Sequence, residues 1–283
     1  MNYNYFNMLT ISETNDEQKG LPLKLITKEE LIEKFKEIEA RGWIENYRKG
    51  NDGAVGNILE DLLGIPENNL PIPNAAEWEL KAQRSTTTSL TTLCHVEPSP
   101  RAAKLVPSML LPNYGWPHQS AGIDYPENEM SFRMTLNGKS FTDRGFKVQV
   151  NHEEQRIEIV FDSSKCDDRH KEWLKEVEKK VGLGPLPIIP YWGFNDLYTK
   201  VGTKLINCFY VQADVKKEAG KEYFHYNMVL MLKHVDVNHF IQCIEDGKIY
   251  IDFDARTGHN HGTKMRIKFS DIPNLYDSVT RIL

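Results

Sequence analysis

The stretch Ala76-Glu77-Trp78-Glu79-Leu80-Lys81-Ala82 decides how this chain reads. Trp78, Leu80 and Ala82 alternate with Glu77, Glu79 and Lys81, the period-2 pattern of a strand whose side chains point to opposite faces in turn. The pattern predicts a half-exposed strand with its charges together on one face. Glu79 and Lys81 stand two apart, so both point the same way. A proline-rich loop ending in Pro73-Asn74 feeds the strand, placing Asn74 five residues before Glu79.

Upstream, Thr27 and Glu30 have the spacing of a capping box, and Leu31, Ile32, Phe35 and Ile38 follow at helical spacing up to Arg41-Gly42. Arg48-Lys49-Gly50-Asn51-Asp52-Gly53 reads as a turn, and residues 55–63 as a second helix closed by Gly64. That helix carries Glu60. Downstream, residues 89–96 read as a strand, 98–126 as loop, and 146–150 with 156–161 as a hairpin. A charged helix at 171–181 leads into a stiff apolar linker at 182–190. Strands at 204–214, 223–232, 248–254 and 263–269, with a helix at 237–245, complete a mixed α/β chain. Residues 1–26 lack periodicity and read as an N-terminal arm. A lobe division is expected between 165 and 190.

With 283 residues, the chain can bury one substantial core or two lobes that share a hinge. Its 40% hydrophobic and 27% charged content is that of a soluble globular protein. No apolar run approaches the roughly 20 residues that cross a bilayer. The first ten residues have no charged region followed by an apolar one, so no signal peptide is expected and the cytoplasm is the expected location. Cys94, Cys166, Cys208 and Cys243 lie far apart, which points to reduced thiols rather than a disulfide framework. The formal net charge of −5 argues against coating nucleic acid by bulk positive charge. It is compatible with a local basic cleft: Arg256, Lys264, Arg266 and Lys268 cluster near the C-terminus, and Arg48-Lys49 precede a glycine-rich turn. Each group also reads as an ordinary solvated face. No Walker A, GxGxxG or GxSxG motif is present. Cys94-His95 is no catalytic pair, because adjacent strand residues face opposite ways.

The loop acid position, Glu79 and Lys81 together resemble the PD-(D/E)XK nuclease core. There, a loop acid, the strand acid and the carbonyl between acid and lysine hold Mg²⁺ beside the scissile phosphate. Magnesium takes hard oxygen ligands and keeps several waters, and a lysine orients such a water and screens phosphate charge. Taken alone, the triplet also reads as an ordinary exposed Glu-Lys pair, and Glu60 as a surface charge. A longer collinear set resembles the MvaI/BcnI family of monomeric type II restriction endonucleases. It comprises Gly42-Trp43, Arg48-Lys49-Gly50-Asn51, Glu60-Asp61-Leu62-Leu63, Pro73, Glu79-Leu80-Lys81, Ser89-Leu90, Thr92-Leu93 and Tyr114-Gly115. It resumes at Tyr191-Trp192, Phe194, Asp196-Leu197, Lys204-Leu205 and His259-Asn260-His261-Gly262-Thr263, and ends at Arg266-Ile267.

This resemblance implies a PD-(D/E)XK, MutH-like core with a mixed sheet flanked by helices, plus a DNA-recognition lobe. The expected segments are an arm at 1–26, a catalytic lobe at 27–165, a connection at 166–184 and a recognition lobe at 185–283. It implies catalysis by Glu60, Asn74, Glu79 and Lys81, with Asn74, Glu79 and the Leu80 carbonyl on Mg²⁺, for which Mn²⁺ can substitute. It implies that Arg48, Lys49, Asp252, Asp254, Arg256, His259, Asn260, His261, Lys264 and Arg266 contact double-stranded DNA. Arginine suits guanine O6 and N7, and an aspartate accepts from cytosine N4. A monomer acting on a CC-N-GG-like site one strand at a time, and a cognate DNA methyltransferase in the host, are expected. Where the family's motif carries the loop aspartate, this chain has Asn74, which offers a carbonyl oxygen but no charge. Either Glu60 or Glu77 supplies the missing charge, or Asn74 marks a disabled enzyme that binds DNA without cutting it. A partner-directed nicking nuclease of DNA repair would share the same core. His259 and His261 also read as half of a zinc site completed by His239 or Cys243.

Overall fold

The computed structural model describes residues 26–48, 50, 53–65 and 77–283. Helix α1 (Lys28–Ala40) begins with the capping box in place, Thr27 and Glu30 each accepting from the other's backbone N–H. After the short strand β1 (Ile44–Glu45), helix α2 (Ala54–Leu63) ends at Gly64, whose φ of 72° is the left-handed value glycine adopts without steric cost. Strands β2 (Trp78–Arg84) and β3 (Thr91–His95) follow. The expected loop at 98–126 instead holds a wide helical turn at Val106–Leu110, helix α3 (Leu111–Tyr114) and strand β4 (Trp116–Pro117), with Leu105, Val106, Leu110 and Tyr114 buried. Pro107 and Pro112 sit in the first turns of these two helical segments, where a missing N–H costs nothing.

Strand β5 (Met130–Leu136) escaped the sequence reading, although Met130, Phe132, Met134 and Leu136 alternate with Ser131, Arg133 and Thr135. The hairpin forms as β6 (Arg144–Asn151) and β7 (Arg156–Cys166), and the charged helix as α4 (Lys171–Val181). Then come β8 (Tyr191–Gly193) and α5 (Phe194–Lys204), a helix concealed in the sequence by its flanking and internal glycines. The chain closes with β9 (Asn207–Glu218), β10 (Lys221–Val235), α6 (Val237–Glu245), β11 (Ile249–Arg256), β12 (His259–Asn260), β13 (Lys264–Ile267) and β14 (Tyr276–Arg281).

Among the described residues the strands form three sheets. The first runs β1-β10-β9-β2, with β14 also on β10, and its β2–β9 pair is parallel. The second runs β3-β13-β11-β5-β4, with β12 on β11; the third is β6-β7-β8. Strands from both sides of residues 166–184 share the first and second sheets. The first sheet joins β2 to β9, β10 and β14, and the second joins β3 and β5 to β11 and β13. These sheets therefore draw strands from distant parts of the chain, because a strand's neighbours are set by pairing and not by chain order.

One face of the first sheet is sealed by α1 and α2, where Leu31, Phe35, Ile58 and Leu59 pack on Trp78, Leu80, Phe209 and Val211. Burying each such side chain is worth about 1.5–3 kcal/mol. The opposite face, with Cys208, Tyr210 and Leu232, belongs to the larger core shared with the second and third sheets. The charged face of β2 is thus an internal one. Glu79 is only 2% exposed, where a half-exposed strand was expected. Among the described residues, no helix is long and apolar enough to cross a membrane.

Candidate active site

The parallel register sets Glu79 beside Cys208 and Lys81 beside Tyr210. Under Glu79 lies a buried floor that includes Cys208 and Tyr276. Burial pushes the Cys208 thiol up to about 12 and raises the Tyr276 phenol well above its ordinary value. The carboxylate has two differently treated oxygens. Oε1 accepts from Lys81 Nζ at 2.7 Å and lies 3.6 Å from Lys204 Nζ. Oε2 is buried with no hydrogen-bond partner among the described residues. A buried polar atom without a partner costs about 1–3 kcal/mol, more when charged, and calls for a cation or water.

Lys81 opens into a cleft of about 640 Å³, lined also by Gly53 and Gly56 of the α2 end, Gln83, Thr92 and Arg266. Gln83 organises the floor: it donates to the Ser89 carbonyl at 3.2 Å and accepts from Thr91 at 2.6 Å and from the Tyr210 hydroxyl. This network holds the turn between β2 and β3, hence the distance between the first and second sheets. Glu60 is half-buried on α2, one turn beyond Gly56 on the same helix face. Glu77 is exposed just before β2.

Across the cleft, β11 alternates buried Ile251, Phe253 and Ala255 with Asp252, Asp254 and Arg256. Its polar face continues onto β13 through Lys264 and Arg266, and onto β5 through Arg133 and Thr135. Arg266 donates to Asp252 at 3.0 Å and to the Leu90 carbonyl at 2.8 Å, while its Nε has no partner. Asp252 also accepts from Thr135 at 2.8 Å. Asp254 lies 3.1 Å from Arg133 and 3.6 Å from Lys264. Arg256 is held by the buried Glu129 at 2.9 Å and stacks over Tyr125. Acids and bases thus neutralise one another on this face.

His259, Asn260 and His261 are exposed at the end of this sheet, with the two imidazoles 4.2 Å apart. Asn260 Oδ1 accepts from the Gly262 N–H at 3.0 Å. Neither histidine joins His239 or Cys243. Among the described residues the grouping able to hold a metal is Asp236, His239 and Asp277, so the zinc alternative gains no ligand set. Arg48 lies apart from the β11 face: it makes a two-point contact with Asp61 of α2 at 2.7 and 3.0 Å, and holds that carboxyl below its usual range, with Tyr47 donating to the same group. Lys49 and Asn74 lie outside the described residues.

Several residues at or near the site were missed from the sequence. Gln83 extends the Glu79-Lys81 alternation by one step, and Arg133 and Thr135 required recognition of β5. Lys204 reaches Glu79 only through the fold. His95, exposed on β3 beside Cys94, is held below its ordinary imidazole pKa, first by desolvation and then by Lys264, Lys81, Lys200 and Lys204. Four lysines therefore converge near one end of β3.

For a divalent cation, the donor set fits. Glu79 Oε2 is a buried carboxylate oxygen without a partner among the described residues, and the Leu80 carbonyl follows on the same strand.

No curated protein sequence matches the chain. Among solved structures, the complex of restriction endonuclease MvaI with its cognate DNA substrate is similar. The match has a TM-score of 0.71 and 24% identity over 89% of this chain and 97% of that one. MvaI in the absence of DNA matches with a TM-score of 0.51 and 22% identity, over 96% of this chain and 100% of that one. The mixed α/β fold is therefore that of a restriction endonuclease. The model of the MvaI/BcnI restriction endonuclease family matches residues 32–276. Spanned almost end to end by that match, the chain belongs to the MvaI/BcnI restriction endonuclease family and is a site-specific deoxyribonuclease.

Proposed function

We propose that the chain is a type II restriction endonuclease that hydrolyses double-stranded DNA with Mg²⁺, or with Mn²⁺ in its place, at a CC-N-GG-like site. The observation that carries this reading is the shared cleft. Lys81, hydrogen-bonded to a buried carboxylate with one unpartnered oxygen, and Arg266, from the polar face of the second sheet, line the same space.

Restriction endonucleases of this kind generally use divalent metals. Glu79, the Leu80 carbonyl and Asn74 would hold such an ion, which would supply charge neutralisation and a water of lowered pKa. Lys81 Nζ then orients the attacking water and screens the phosphate. Attack in line on phosphorus leaves a 5′-phosphate and a 3′-hydroxyl, and Glu60 adds negative charge on the α2 side. Arg266, Lys264, Asp252, Asp254 and Arg256 read base edges, flanked by His259, Asn260 and His261, while Arg48 and Lys49 contact the backbone.

With one such site per chain, a monomer cuts the two strands in separate events. A cognate methyltransferase protects the host's own DNA in the same cytoplasm.

Incubating the purified chain with Mg²⁺ and a sequenced plasmid, then mapping the ends, tests this. Discrete ends at one CC-N-GG-like sequence without added proteins establish the reading and eliminate a partner-directed nicking enzyme. Tight specific binding with no cutting in Mg²⁺ or Mn²⁺ establishes a protein disabled at Asn74.

A further inference from the structure

Lys204 takes no part in the triplet that defines the site, yet it stands beside Glu79. It is the last residue of α5 and lies four positions before Cys208, which pairs with Glu79 across the parallel ladder. The helix is anchored by the buried Phe194, Leu197 and Val201, so the lysine is delivered to the site by packed structure. Its ammonium is 3.6 Å from Glu79 Oε1, beyond hydrogen-bond reach, and no hydrogen bond ties it to any described residue. Lys81 already occupies that oxygen at 2.7 Å. One carboxylate therefore faces two ammonium groups, and Lys200, one turn earlier on α5, adds a third cation near the same end of β3. In a chain of net charge −5, this local surplus is complementary to an anion. An ammonium is a compact, three-donor partner for a phosphate oxygen.

We propose that Lys204 is a phosphate-binding residue beside Glu79, holding one DNA backbone phosphate there, with Lys200 strengthening the field around it. The assignment rests on the nuclease reading for its ligand but not on cleavage. A lysine that only balanced Glu79 would be redundant with Lys81, whereas one that binds a phosphate brings the strand into line with the carboxylate.

The test is equilibrium binding of the full chain to two short duplexes in EDTA, one with and one without a CC-N-GG site, over a range of salt. Each phosphate contact contributes about 0.9 to the slope of log K against log salt. Lys204→Met should lower the slope by about that amount on both duplexes, and Lys204→Arg should retain it. An unchanged slope in a folded Lys204→Met protein overturns the proposal, as does a loss confined to the specific duplex. If Lys204→Met does not fold, Glu79→Gln/Lys204→Met is compared with Glu79→Gln, with the same outcomes decisive. A wild-type chain that passes this test but never cuts refutes full nuclease activity and leaves Lys204's role standing. A chain that binds neither duplex overturns both.

Discussion

Lys81→Met and Glu79→Gln remove opposite halves of one hydrogen-bonded pair, and the structure makes their costs unequal. Glu79 is 2% exposed while the Lys81 side chain is 21% exposed, so only the lysine can turn to water when its partner is lost. Removing one member of a buried pair costs about 3–5 kcal/mol because the survivor is left charged and dry. Lys204 at 3.6 Å remains to compensate Glu79 in part, so Lys81→Met should cost about 3 kcal/mol. Glu79→Gln leaves two partly exposed ammonium groups and an amide that still accepts from Lys81. Its cost should be about 1 kcal/mol, in the range of solvent-accessible pairs. In the double variant neither charge remains to be stranded. It should be more stable than Lys81→Met alone, giving a coupling of about 2 kcal/mol. Urea denaturation followed by fluorescence of the chain's five tryptophans reads this as shifts in midpoint at constant slope. Equal costs for the two single variants, or a double variant that is their simple sum, would refute the burial asymmetry. All three proteins should lack cleavage, so activity cannot substitute for the stability measurement.

Arg266→Ala should cost about 1–3 kcal/mol in specific binding if its guanidinium makes a two-point guanine contact, and an equal loss on unrelated DNA would rule that out. It also strips Asp252 of its 3.0 Å partner, so a lowered melting temperature should accompany the binding loss. Asn74→Asp should raise the cleavage rate or lower the Mg²⁺ concentration needed; no change in either removes that side chain from the metal's coordination. His95 should titrate below 6.5 by proton NMR, since desolvation and four lysines disfavour its charged form. Its stabilising contribution is therefore complete above 6.5 and declines as pH falls towards the depressed folded value. Lys200→Met/Lys204→Met should move the titration upwards, and an unmoved His95 would show that these lysines do not act on it.

Much of the fold was legible in the sequence because local physics writes it there. The capping box at Thr27 and Glu30, Gly64 at the end of α2, and the alternation around Glu79 and Lys81 involve residues within a few positions of one another. The 3.6- and 2-residue periods carry them directly. The resemblance that points to a nuclease likewise rests on short collinear motifs. What the sequence could not carry is the neighbour set by pairing at a distance. Glu79 looked half-exposed from its alternation, yet β9 and the core beyond it cover its face, turning an ordinary strand acid into a buried carboxylate with an unpartnered oxygen. The pairing of strands far apart in the chain was hidden for the same reason, since β2 pairs with β9 and β5 with β11. Lys204 stands 125 positions from Glu79 in the chain and 3.6 Å from it in space. Local composition chose which residues carry charge; only tertiary packing decided how far each charge is removed from water, and therefore what it can bind.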